Sequence, residues 1–217
     1  PSAFLPGSEA GFSLAWRNAA KVDVALYALD LANAVDLASE QDTSASAWLE
    51  RVSTAGRERV RSFTHETKDD GKHVPGSTEL DLGAALAPGA YLLEATAGGA
   101  RGRELVLVGR TQIVLKAGDE RALAWVCDAL TSEPVANAKL VVWEHVYDGK
   151  RWSWARTAGT SAADGTFTAA LSPLRANGNR SELLVFAALG ERESVAIGGT
   201  AWERGRDDGW KLYAVTD

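Results

Sequence analysis

Apolar and polar residues alternate with a period of two along most of this chain, and turn residues cut the alternation into short runs. Residues 21–28 are the plainest case: Val22, Val24, Leu26 and Ala28 fall on one face, the signature of a half-buried strand. Residues 11–17, 60–67, 78–82, 90–95 and 103–108 read as strands as well, with Pro6-Gly7, Pro88-Gly89 and the glycine-rich 98–102 as turns beside them. Beyond Gly109 the runs 111–115, 121–130, 138–147, 150–157, 165–171, 182–189, 193–197 and 210–215 continue the series. One interval departs from it. Leu31, Ala34, Val35 and Ala38 recur at helical spacing, Asp42-Thr43-Ser44 supplies capping residues, and Trp48, Leu49 and Val52 form an apolar stripe. A short helical insertion over 31–52, covering one end of a β-module, is predicted.

The segment 123–171 carries the densest turn chemistry, and its central hairpin can be read in register. Asp148-Gly149 favours a two-residue type I′ turn, which would set Tyr147 opposite Lys150, His145 opposite Trp152, Trp143 opposite Trp154 and Val142 opposite Ala155. Ala138, Leu140, Val142 and Ala155 then share a small aliphatic face suited to a sandwich interior. Trp143, His145, Tyr147, Trp152 and Trp154 share the opposite face, which is left to cover a neighbouring domain, a partner or the chain's own loops. These five residues are the candidate interaction or interdomain surface, set against the plainer reading that aromatic cross-strand pairs only stiffen the hairpin.

Short strands separated by Gly, Pro and Asp-Gly turns predict an all-β protein: two tandem immunoglobulin- or fibronectin-like β-sandwiches, the first with the helical insertion. The expected division is 1–109, 110–205, and 206–217 as a linker or the first strand of a following domain. A chain of 217 residues with 46% hydrophobic content can bury two cores. A net charge of -6 argues against a nucleic-acid partner, which would call for a basic face. No apolar run approaches the ~18 residues needed to span a bilayer, so direct membrane insertion is not expected. Cys127 is the lone cysteine, which excludes an internal disulfide, and its apolar strand setting predicts a buried, inert thiol. Pro1 and the lack of a signal-like start suggest a piece of something longer.

Residues of catalytic type do not assemble into a pattern. His65 and His73 flank Glu66, Asp69 and Asp70, a set that could gather a metal ion, yet the composition suits a solvated loop. The turn at 98–102 lacks the Lys-Ser/Thr and the following helix of a phosphate-binding loop. There is no Gly-x-Ser-x-Gly elbow, and Asp207-Asp208 lies in a turn-like stretch. No catalytic residue, cofactor-binding residue, cofactor or metal ligand is nominated. Trp152, Trp154 and Trp202 keep a second reading open, a stand-alone extracytoplasmic adhesin or carbohydrate-binding module in which exposed rings stack on sugars.

Several motifs together resemble the bacterial alpha-2-macroglobulin family. Phe4-x-Pro6-Gly7-x-Glu9, Trp16-Arg17-Asn18, Leu26-Tyr27-Ala28-Leu29-Asp30, Trp48-Leu49, the run 60–67 and the run 86–95 are similar to one macroglobulin-type domain from the amino-terminal half of such proteins. Ala124-Trp125-Val126, Thr131-x-x-Pro134-Val135-x-x-Ala138, Val142-Trp143 and Thr160-x-x-Ala163-Asp164-Gly165 resemble the next, though this second set also occurs in other immunoglobulin-like modules. The stretch 210–217 looks like the lead-in to a further domain. The resemblance implies a large envelope protein that traps proteases after a bait segment is cut, in many members with a Cys-x-Glu-Gln thioester. Here Cys127 is followed by Asp128-Ala129-Leu130, so it is not the thioester cysteine, and no bait segment is recognisable. The implied role is therefore non-catalytic scaffold, partnered by neighbouring domains of the same chain and, through the full-length protein, by target proteases. The implied location is the periplasm or cell envelope, with lipid anchoring of the parent left open.

Overall fold

The structure, a computed structural model, describes residues 2–31, 35–38, 47–83, 86–118, 120–173, 181–190 and 192–198. Among these residues, fourteen strands form four sheets stacked face to face. The outermost is the pair β2 (Gly11–Trp16) and β5 (Gly76–Asp81), joined antiparallel from Gly11↔Asp81 to Trp16↔Gly76. Beneath it lies a five-stranded sheet in the order β1 (Ser2–Phe4), β7 (Ala100–Val108), β6 (Gly89–Ala97), β3 (Lys21–Leu29) and β4 (Arg59–Glu66). A four-stranded sheet follows, ordered β11 (Trp152–Thr160), β10 (Lys139–Tyr147), β13 (Ser181–Leu189) and β14 (Arg192–Gly198). The last sheet is β12 (Thr166–Ala170), β9 (Arg121–Asp128) and β8 (Thr111–Ala117). Among the described residues, no ladder joins a strand before Gly109 to one after it.

Three apolar clusters fill the three gaps between the sheets. The first gap holds Phe12 and Leu14 of β2 against Val22, Val24, Leu26, Leu93, Val106 and Val108. The third holds Leu140, Val142, Leu183, Val185 and Ala187 against Ala122, Ala124, Val126 and Ala169, and β14 lies beside β8 at its margin. The middle gap is filled from both halves of the chain. As a result the inner strands of the two central sheets are buried on both faces, while the edge strands β4 and β11 are largely exposed. In β6, Ala90 and Leu92 point into the middle cluster while Tyr91 and Leu93 point into the first. In β13, Leu184 and Phe186 face the middle while Leu183, Val185 and Ala187 face the third gap. Alternation in such strands separates two apolar faces rather than an apolar from a polar one.

The sequence expectations need three corrections. β3 is half-buried only in its first part, where Lys21 and Asp23 are exposed and Val22 and Val24 buried; farther on, Tyr27 and Leu29 enter the middle cluster on the face opposite Val22, Val24 and Leu26, and the pairing with β4 shifts register between Leu26 and Tyr27. The 138–157 hairpin turns through four residues instead of two, so Tyr147 pairs with Trp152, His145 with Trp154, Trp143 with Arg156 and Val142 with Thr157. The Asp148 carboxylate explains this, because it accepts the backbone N–H of Lys150 at 2.8 Å and of Arg151 at 2.9 Å, while the Asp148 N–H donates to the Arg151 carbonyl at 3.1 Å. That side-chain bonding widens the loop around Gly149, whose φ is 95°. A shift of two positions keeps every side chain on its predicted face. In the expected helical insertion, residues 35–37 are not helical and the described helical element is a 3-10 turn, Trp48–Arg51; residues 32–34 and 39–46 lie outside the described residues, as do 199–217, which contain the predicted strand 210–215, Trp202 and Asp207-Asp208.

The Asp164-Gly165 turn shows why its residues are there. Gly165 has φ 77°, and an added Cβ would lie 2.4 Å from the Val126 carbonyl oxygen, so only glycine fits. The Asp164 carboxylate accepts the N–H of Thr166 at 3.0 Å and its hydroxyl at 2.7 Å, which holds its pKa below the ordinary carboxylate value.

Candidate functional site

The middle gap is where the two halves of the chain meet, and it is built from aromatic and branched aliphatic side chains. From the second half come Val141 and Trp143 of β10, Trp154 of β11, and Leu184 and Phe186 of β13. From the first come Tyr27, Leu29 and Leu31, Val35 and Leu37, Trp48 and Val52, Ala90 and Leu92, and Leu105 and Leu107. The Trp48 and Phe186 rings meet edge to face at 5.6 Å and 85°, the favoured geometry for such a pair. Trp48, read in the sequence as part of a helical stripe and of the Trp48-Leu49 motif, is thus the residue by which the 3-10 turn Trp48–Arg51 plugs the seam.

Arg103 holds that plug in place. Its guanidinium donates to the carbonyls of Glu50 at 3.0 Å, Val52 at 2.7 Å and Leu49 at 3.2 Å, so it ties the 3-10 turn down by its backbone. On its other side it meets the Glu94 carboxylate at 2.6 and 2.7 Å. The Arg103 and Glu94 side chains are 4% and 14% exposed, so both charges are desolvated and depend on each other.

The five aromatic-face residues divide in two. Trp143 and Trp154 are buried in the seam, and the Trp143 indole N–H has no hydrogen-bond acceptor there. His145, 6% exposed, stacks between Trp152 at 4.6 Å and Trp154 at 4.5 Å, with interplanar angles of 28° and 15°. Tyr147 tilts against Trp152 at 5.4 Å. Trp152 and Tyr147 are half-buried near the loop. Ring contacts to His145 and Tyr147 occupy the Trp152 indole, an arrangement that disfavours a sugar platform.

A carboxyl pair lies at the margin of the seam. Glu193 on β14 lies near Asp30; burial and the Asp30 charge push its pKa from an ordinary 4.5 up to about 7, with backbone hydrogen bonds from Leu31 and Ala90 working the other way. One of its oxygens, Oε2, is buried without a hydrogen-bond partner. The sequence flagged neither group.

The other residues considered for chemistry stay apart. His73 Nδ1 lies 2.6 Å from Asn18 Nδ2, and the His73 backbone N–H donates to Asn18 Oδ1 at 3.0 Å. His65 packs on Trp16 at 5.5 Å. The Asp70 carboxylate pairs with Lys72 at 2.6 Å, and Asp69 accepts the Gly71 N–H at 2.8 Å. Among the described residues, no three His, Cys, Asp or Glu side chains converge as metal ligands would. Cys127 is buried, with Gln112 Nε2 at 3.4 Å from its sulfur. No described helix is long and apolar enough to cross a membrane.

Sequence reasoning missed Phe186, Arg103, Asp30 and Glu193 as parts of the seam. A signal for the seam was present, in the uninterrupted apolar runs Leu140–Val141–Val142–Trp143, Leu183–Leu184–Val185–Phe186 and Tyr91–Leu92–Leu93, which mark strands covered on both sides.

No protein-family model matches the sequence, and no curated protein matches it. Among solved structures, the chain is similar to native alpha-2-macroglobulin from Escherichia coli spanning domains MG0-NIE-MG1, at 15% identity and a TM-score of 0.57, over 90% of this chain and 63% of that one. A shorter piece of the same protein spanning NIE-MG1 aligns over 90% of this chain and 92% of that one, at 12% identity and a TM-score of 0.49. The chain thus spans less than two thirds of the MG0-NIE-MG1 structure. Its fold, a stack of macroglobulin-type β-sandwich layers, is the one seen in that segment of a bacterial alpha-2-macroglobulin.

Proposed function

We propose that this chain is a non-catalytic structural part of a bacterial alpha-2-macroglobulin-like protease inhibitor, exported to the periplasm or cell envelope, where the parent protein traps proteases. The fold shared with the Escherichia coli segment supports the family, and the sequence motifs of both halves point the same way. One observation carries the role of scaffold: a continuous apolar seam, sealed by Trp48, Trp143, Trp154 and Phe186, packs the two halves against each other. Relative movement of the halves would expose large aromatic surfaces, so a displacement imposed on one end is passed to the other as a rigid-body movement. The partners are neighbouring domains of the same parent chain and, through the parent, target proteases.

The test uses the longer parent protein mixed with an endopeptidase such as trypsin. Co-elution of the two in a larger complex, with loss of cleavage of a protein-sized substrate, is expected; the isolated chain should leave the protease unaffected. A parent that neither retains the protease nor shields its substrates would sink the reading. Titrating the isolated chain with glycans should leave tryptophan fluorescence unchanged, and a saturable change would favour the carbohydrate-binding alternative.

A further inference from the structure

The chain crosses from its first half to its second at Gly109-Arg110, and the crossing is tied to both. The Gly109 N–H donates to the Phe4 carbonyl of β1 at 2.9 Å, and the Arg110 carbonyl accepts the N–H of Ala129, just past β9, at 2.6 Å. Glu193 stands beside this crossing: a Cβ added at Gly109 would lie 3.8 Å from its backbone carbonyl oxygen. Its strand, β14, belongs to the second half, yet its carboxyl accepts the backbone N–H groups of Leu31 and Ala90, which belong to the first. Both bonds fall to Oε1, since Oε2 has no partner. Leu31 and Ala90 are 1% and 2% exposed and sit in the middle cluster, and Val195, two residues along β14, packs against the same cluster. One carboxyl therefore bridges the two halves at the pivot about which they would move.

We propose that Glu193 is a proton-operated clasp on this pivot: with its carboxyl neutral the two halves are held firmly, and its ionisation loosens the margin of the seam around Leu31 and Ala90. The surroundings set the sign. Ionised, Glu193 places a second negative charge near Asp30, and the buried Oε2 carries part of that charge with no donor to receive it. Oε2 gains water only if β14 draws back from the first half. Neutral, the carboxyl keeps Oε1 as an acceptor for both N–H groups and makes no such demand. The neighbouring elements offer no cation in exchange. The residues of β6 and β7 that enter the middle cluster, Ala90, Leu92, Leu105 and Leu107, are apolar, and Thr111 at the start of β8 is uncharged. Farther along β6 and β7, Glu94 and Arg103 neutralise each other, and Arg110 at the crossing is drawn to Asp128 at 3.1 Å. Burial and the Asp30 charge place the ionisation of Glu193 near pH 7, so the change of state falls close to neutrality.

The clasp goes beyond the scaffold role and rests on it only in taking the seam as the joint between the halves. Amide hydrogen exchange of the 217-residue chain, followed by NMR and expressed as protection factors, tests it. Protection of the Leu31 and Ala90 amides should fall at least about tenfold between about pH 4.5 and about pH 8. At the higher pH these two amides should be less protected than Val126 and Leu183, which lie in the third gap, because the margin opens before the chain unfolds as a whole. Glu193→Gln, an uncharged side chain of the same shape, should keep Leu31 and Ala90 equally protected at both pH values. Should that variant not fold, Asp30→Asn gives a second measure: with the neighbouring charge gone, the fall should be smaller and finish at a lower pH. Protection of Leu31 and Ala90 that does not change with pH overturns the proposal, as does an equal fall in Glu193→Gln or a loss no greater than at Val126 and Leu183. A parent that fails to retain a protease would reject the scaffold role and leave these exchange results standing.

Discussion

At the scale of single residues, the seam concentrates the largest consequences. Trp143 is 3% exposed and packs with Trp154, Trp48 and Phe186, so truncating it removes contacts that the surrounding sheets cannot close up. Trp143→Ala should lower unfolding stability by about 3–5 kcal/mol, as large-to-small core changes do, and Trp152→Ala, half-buried at the hairpin end, by clearly less; denaturant midpoints of the two variants check the ordering. Glu193 makes stability depend on pH. Its carboxyl is held protonated by the fold, with a pKa near 7 against an ordinary 4.5, so its contribution is complete below about pH 4.5 and is lost as the pH rises through 7. Asp128 acts in the opposite direction: backbone N–H groups of Leu130 and Thr131, assisted by Arg110, lower its pKa to about 2, so its contribution falls away only as the pH drops below the ordinary 3.8. Denaturant midpoints measured from pH 4 to 8 should therefore decline toward the alkaline end, and Glu193→Gln should flatten that decline. A Glu193→Gln profile as steep as the wild type would show that another group is responsible.

At the scale of elements, the 3-10 turn Trp48–Arg51 depends on a charge from elsewhere. Arg103 satisfies its carbonyls from β7, and Glu94 on β6 neutralises Arg103, so two strands of the five-stranded sheet position the turn that inserts Trp48. Removing one member of a buried ion pair strands the other, a cost of about 3–5 kcal/mol. Arg103→Ala should lose that much stability and make 48–52 exchange and proteolysis faster than the strands around it; uniform loosening along the whole chain would contradict the local role. The hairpin gives a lesson at the same scale. Asp148-Gly149 marks a turn in the sequence, but the number of residues in the loop was set by what the Asp148 carboxylate binds, and that bonding is visible only with the backbone in place.

At the scale of the whole molecule, the middle cluster predicts that the two halves unfold together. Each central sheet contributes one face to its own sandwich and the other to the seam, so unfolding either half exposes apolar surface on its neighbour. Calorimetry should show one transition for the chain, and Phe186→Ala, which removes the partner of Trp48, should split or broaden it. Two independent transitions in the unaltered chain would mean that the seam couples the halves only weakly.

Strand positions, the all-β class and the sides to which the hairpin residues point follow from local rules, because alternation and turn chemistry act within a few residues of one another. Val22, Val24 and Leu26 share one face of β3, and Gly165 occupies a turn where only glycine fits, wherever the rest of the chain lies. The seam could not be reached in that way. Pattern reading assigns an apolar face to each strand but not the surface that covers it, and for Phe186 that surface is Trp48, brought across from the other half. Arg103 and Glu193 look like ordinary charged strand residues until folding buries one against three carbonyls and the other near Asp30. The physical reason is range: periodicity reports which side chains leave water, whereas the identity of their neighbours, and the energy of each contact, depends on segments far apart in the chain meeting in space.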